Sequence, residues 1–169
     1  PIRARRRRRI RARRRRRIRA RRRRPIRGRA EVARVLLVGC GCRGQALGGA
    51  LLADGHAVRG TTRSPSRVVE LEAAGIEGVV ANPDRLGTLV PALSGVTVVC
   101  WLMGSAAPPR ARAADAGHDR VASLHGDRLA SFAEHLVDTP VRGLVYEAAG
   151  SVEPTLLTRG AQIVRNASH

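Results

Sequence analysis

The chain has 169 residues, a length that suits one domain built around a single core. Its formal charge of +19 sits at one end: residues 1–29 hold 19 of the 32 basic side chains and no acid, leaving 13 arginines against 13 acidic residues from position 30 onward. The overall charge therefore says nothing about residues 30–169, and because every basic side chain is Arg, any mechanism that needs a lysine is excluded.

Residues 2–29 repeat with a period of eight, starting at Ile2, Ile10 and Ile18, with a decayed copy from Ile26. A segment this charged cannot bury enough apolar surface to offset its ordering entropy, so a disordered arm is expected. Two readings of it stay open. The chain starts at Pro1 and its only methionine is Met103, so the tandem repeat fits a mis-set start or a fragment's edge, the weightier reading. The other is an arm that neutralises nucleic-acid phosphates, a sequence-blind polyanion contact, since no aromatic side chain interleaves the arginines.

The texture changes near residue 30, where a domain spanning 30–169 is expected to begin. Val35–Val38 is a short β-branched run ending in glycines, read as a buried strand. Arg43–Ala53 carries apolar residues at helical spacing, His56–Thr62 gives a second strand, and Ser64-Pro65 opens a second helix. A third strand is predicted over Glu77–Ala81, a helix over Leu86–Leu93 and a fourth strand over Val96–Leu102. Gly104–Gly117 reads as one long loop, Val121–Val137 as a long amphipathic helix, Gly143–Tyr146 as a fifth strand and Pro154–Val164 as a last helix. Strands alternating with helices imply an α/β protein with a parallel sheet covered on both faces. Right-handed crossovers then give a doubly wound, Rossmann-type sheet of order 3-2-1-4-5.

Gly39-Cys-Gly41-Cys42-Arg43-Gly44 is G-x-G-x-x-G between the first strand and the first helix. Gly39 permits the tight turn, Gly41 lets backbone approach a pyrophosphate, and Gly44 lets helix and strand pack closely. The amides near Cys42 and Arg43 lie at the helix N-terminus, which attracts an anion. At the end of the second strand, where a carboxylate usually holds a free ribose 2′-hydroxyl, the sequence reads Thr61-Thr62-Arg63-Ser64, with Arg67 one turn on. Guanidinium groups pair with a 2′-phosphate, so NADP(H) is favoured over NAD(H). Cys40 and Cys42 form a C-x-C without a second pair and are read as small residues filling the turn, not as metal ligands. His118, His125 and His135 are assigned to surface or cap positions. Three cysteines without a disulfide-scaffold spacing, no apolar run of about 20 residues and no secretory h-region favour a soluble, cytoplasmic protein away from membranes. The oligomeric state is left open.

The glycine turn, His56-Ala-Val-Arg-Gly-Thr-Thr-Arg63 and Leu93-Ser-Gly-Val-Thr-Val-Val99 together resemble the atypical and extended short-chain dehydrogenase/reductases, NmrA-like relatives especially, over about residues 34–165. The resemblance implies that Asn82, with Asp84 close by, meets an adenine, and that Leu102, Met103 and Gly104 border a nicotinamide ribose. It also implies a catalytic Tyr, a Lys four residues later and a Ser. This chain has no lysine, its sole tyrosine, Tyr146, lies inside the fifth strand, and Ala148 and Ala149 stand where the serines are expected, with Ser151 just beyond. The family's C-terminal substrate-binding portion is also absent, as in a truncated member. The favoured reading is a non-catalytic NADP(H)-binding or sensor module with no catalytic residues. The alternatives are an NAD(P)-dependent oxidoreductase or epimerase with a divergent site, in which Glu147, Ser151 or His125 donates the proton, and a polyanion binder acting through the arm.

Overall fold

A computed structural model describes residues 32–106 and 114–167; the Arg-rich arm, the boundary at residue 30 and residues 107–113 of the long loop lie outside them. In chain order the elements are β1 (Arg34–Val38), α1 (Cys42–Ala53), β2 (Ala57–Thr62), a 3₁₀ turn (Pro65–Arg67) running into α2 (Val68–Ala73), and β3 (Glu77–Val80). Two 3₁₀ turns (Leu86–Thr88 and Val90–Leu93) precede β4 (Val98–Trp101), and α3 (Ala114–Leu124), α4 (Asp127–Leu136), β5 (Gly143–Tyr146) and α5 (Pro154–Ala167) complete the chain. The five strands form one parallel sheet of order β3-β2-β1-β4-β5, the predicted order.

β1 is central because it is apolar on both faces. Val35 and Leu37 point into one core with Cys40, Val58, Leu71, Ile76 and Cys100, beneath α1 and α2. Leu36 and Val38 point into the other with Val99, Trp101, Leu129 and Phe132, beneath α3, α4 and α5. The period-two alternation of the strand thus feeds two layers at once, which is why it reads as an unbroken apolar run. Trp101 and Phe132 are fully buried with ring centroids 5.1 Å apart, and the indole Nε1 donates to the Leu124 carbonyl at 3.2 Å.

Three expectations need correction. The helix over Leu86–Leu93 is a pair of 3₁₀ turns, with Leu89 N bonded to Leu86 O and Ala92 N to Leu89 O, because Pro91 brings no N–H to a longer ladder. The single long helix over Val121–Val137 is two, since α3 ends at Leu124 and α4 starts at Asp127. At the break, a Cβ on Gly126 would sit 2.9 Å from the Arg159 guanidinium, so glycine lets α5 approach the corner. The long loop is shorter than predicted, because α3 begins at Ala114.

Candidate functional site

The chain leaves β1 through Gly39, whose φ of +88° is one that L side chains rarely adopt. A Cβ there would lie 2.5 Å from Met103 Cε and 2.8 Å from the Leu102 carbonyl, so the turn and the end of β4 are packed against each other. Thr61 of β2 fixes the turn from the other side: Gly39 N donates to Thr61 Oγ1 at 3.0 Å, and Cys40 N donates to Thr61 O at 3.0 Å. Cys40 points inward, and burial pushes its thiol up to about 11 against the opposing field of Arg67. Cys42 is exposed and so does not fill the turn.

Gly41 caps α1 without a side-chain hydrogen bond, the first turn of the helix has no acidic residue, and a Cβ on Gly41 would meet nothing within 4 Å. The free amides and the positive end of the helix dipole therefore face open space. That space is a cleft of about 770 Å³ along the C-terminal ends of β1, β2 and β4. Gly39, Gly41, Cys42, Arg43 and Gly44 line it at the turn, Thr62, Arg63 and Arg67 at the end of β2, and Leu102 and Met103 at the end of β4.

Two of the sequence-predicted residues stand outside its lining. Asn82 lies between Ala81 and Pro83, which do line the cleft, and turns its Oδ1 back to accept from Asp84 N at 3.1 Å. Gly104 is buried behind the wall, where its N–H donates to Glu147 Oε2 at 2.9 Å and a Cβ would lie 2.3 Å from the Ala149 carbonyl. At the β2 end, Thr62 Oγ1 accepts from Ser64 N at 3.2 Å, and Arg67 pairs with Glu70 at 3.3 Å. Arg63 is exposed and has no hydrogen bond or ion pair among the described residues.

Sequence reasoning missed the opposite wall. Arg120, Val121 and Leu124 of α3 line the cleft, and Arg120 is ion-paired with Asp84, whose backbone carbonyl also accepts from Arg128. Glu147 lines it from beyond β5, pairing with Arg43 Nη1 at 3.0 Å. From sequence Glu147 is legible only as a candidate proton donor, because nothing in sequence order links positions 104 residues apart.

The histidines divide. His118 and His135 are exposed, whereas His125 is fully buried, contrary to the surface or cap position expected of it. His125 Nε2 lies 3.2 Å from the Met103 carbonyl, which can only accept, so Nε2 carries the proton and Nδ1 accepts from Tyr146 Oη at 2.6 Å. Burial lowers the imidazole pKa; burial and then the Glu147 charge raise the Tyr146 phenol to about 12. The phenol thus points into the packing against α5, where a Cβ on Gly160 would touch its Oη.

No protein-family model matches the sequence, nor does any curated protein sequence. Among solved structures, a short-chain dehydrogenase from Streptomyces avermitilis superposes with a TM-score of 0.62 at 16% identity, covering 80% of this chain and 59% of its own. Pen from Bacillus thuringiensis gives 0.61 at 14% identity, covering 81% and 45%. A Bacillus halodurans protein put forward as an NAD-dependent epimerase/dehydratase gives 0.54 at 19% identity, covering 80% and 62%. The fold is therefore that of the Rossmann proteins, and the chain spans less than two thirds of the length of each of these three. No helix of the described residues is long and apolar enough to cross a membrane.

Proposed function

We propose that this chain binds NADP(H) and acts as a ligand-responsive module, not as a reductase. The observation that carries the reading is the uncapped N-terminus of α1 opening, over Gly41, into a cleft that ends at Arg63 and Arg67. Helix amides take the pyrophosphate, and the guanidinium pair takes a 2′-phosphate that a carboxylate would repel. Asp54 and Glu70 are the nearest acids on either side of Arg63 in sequence, and Glu70 is occupied by Arg67. The short-chain dehydrogenase and epimerase/dehydratase names of the structural neighbours support a dinucleotide as the ligand class.

A binding role is favoured over a catalytic one because the sole tyrosine is engaged with buried His125 and there is no lysine to lower its pKa. Titrating the protein with NADPH, NADP⁺, NADH and NAD⁺ by calorimetry tests the reading. Saturable binding that favours the 2′-phosphorylated pair, lost in Arg63→Ser, is expected. Preference for NADH would remove the role of Arg63, and steady NADPH oxidation with a carbonyl substrate would replace the module by an oxidoreductase.

A further inference from the structure

Glu147 is held at a particular point of the cleft. Its backbone N–H donates to the Trp101 carbonyl at 3.0 Å, which fixes it beside the end of β4. Its carboxylate takes the Gly104 N–H on one oxygen and the Arg43 guanidinium on the other. The Glu147 side chain is 17% exposed and that of Arg43 63% exposed, so water screens the negative end of the pair less than the positive end. Arg43 belongs to the first turn of α1, the phosphate end. The pair is thus a charge dipole lying along the cleft, positive at the glycine turn and negative toward β4 and β5.

The direction of a bound dinucleotide follows from the proposed NADP(H) site, on which this inference rests. A 2′-phosphate at Arg63 and Arg67 and a pyrophosphate at α1 put the adenosine half over β2 and β3. The nicotinamide half then extends over β4 and β5, where Glu147 lies. The oxidised ring is a cation, whereas the reduced ring is neutral. We infer that Glu147 is a redox-specificity residue, making the cleft prefer NADP⁺ over NADPH.

The test is calorimetric titration of the full chain with NADP⁺ and NADPH near physiological ionic strength, in the wild type, Glu147→Gln and Arg43→Gln. The wild type is expected to bind NADP⁺ about threefold to fivefold more tightly, the scale of one partly screened charge pair. Glu147→Gln keeps an amide oxygen for Gly104 N–H and brings the ratio close to one. Arg43→Gln weakens both forms and leaves NADP⁺ preferred. The arginines of residues 1–29 attract the reduced form more, since it carries one more net negative charge, so they cannot create the preference. Equal affinities in the wild type, or a preference that survives Glu147→Gln, would overturn the role of Glu147 while leaving the site standing. Absence of saturable binding by either form overturns the NADP(H) reading and this inference together.

Discussion

Gly39 and Gly41 are two residues apart and are required for different reasons. Gly39 combines a φ of +88° with a Cβ position already taken by Met103 and the Leu102 carbonyl, so Gly39→Ala strains the backbone and pushes β4 away. We expect it to destabilise the fold by about 1–3 kcal/mol. Gly41 has an ordinary φ of −80° and open space around it, so Gly41→Ala should leave the melting temperature unchanged. Its methyl group would project where the pyrophosphate is proposed to sit, and the expected loss is in dinucleotide affinity alone. Equal melting curves for Gly41→Ala and the wild type, with a loss of affinity of about tenfold or more, is the combination that distinguishes a ligand turn from a scaffold turn. If Gly41→Ala binds as the wild type does, the pyrophosphate is elsewhere. Both glycines were legible from spacing alone, since the motif lies within six consecutive residues between a strand and a helix.

Between α3 and α4, the corner at His125 ties three elements together through one side chain. Leu129, Phe132 and Leu136 keep helical spacing, and a one-helix reading carries it back to Leu124 across a step of five in which Asp127 and Arg128 hold the helical positions. What breaks it is tertiary: the imidazole turns inward to the Met103 carbonyl and Tyr146, and Gly126 leaves room for Arg159. Burial holds the folded-state pKa of His125 below 6.5, with the Met103 bond and the Glu147 charge opposing it. Below 6.5 the unfolded chain therefore takes up a proton that the folded chain resists. This contribution to stability is complete above that pH and falls as the pH is lowered through it, down to the depressed folded value. Thermal unfolding followed from about pH 8 to about pH 5 should show that decline, and His125→Gln should flatten it. A decline that persists in His125→Gln places its origin elsewhere. Tyr146→Phe leaves Nδ1 without its donor and should cost about 1–3 kcal/mol, read as a lower denaturation midpoint.

Across the whole molecule, the sheet order was readable because β1 is apolar on both faces and each strand is followed by a connection that can cross over. The near half of the cleft was readable for the same reason, since the turn and the end of β2 follow directly from the motif. Its far wall was not: Arg120, Leu124 and Glu147 enter only through the folding of α3 and β5 over β4, which no local pattern encodes. Charge divides the chain along a different line, with the whole excess in residues 1–29 and a balanced remainder. The two kinds of binding should therefore separate. If residues 1–29 are a polyanion contact, retention on duplex DNA falls steeply with salt, with log K declining by about 0.9 per log unit of salt for each phosphate contacted, and vanishes when those residues are removed. Dinucleotide binding should persist in the shortened chain, because residues 32–169 make up a compact unit that contains the cleft. DNA retention that survives the removal would move the polyanion contact onto the domain. The row of Arg43, Arg63, Arg67 and Arg120 along the cleft would then be its first candidate, and added NADP⁺ should displace the DNA.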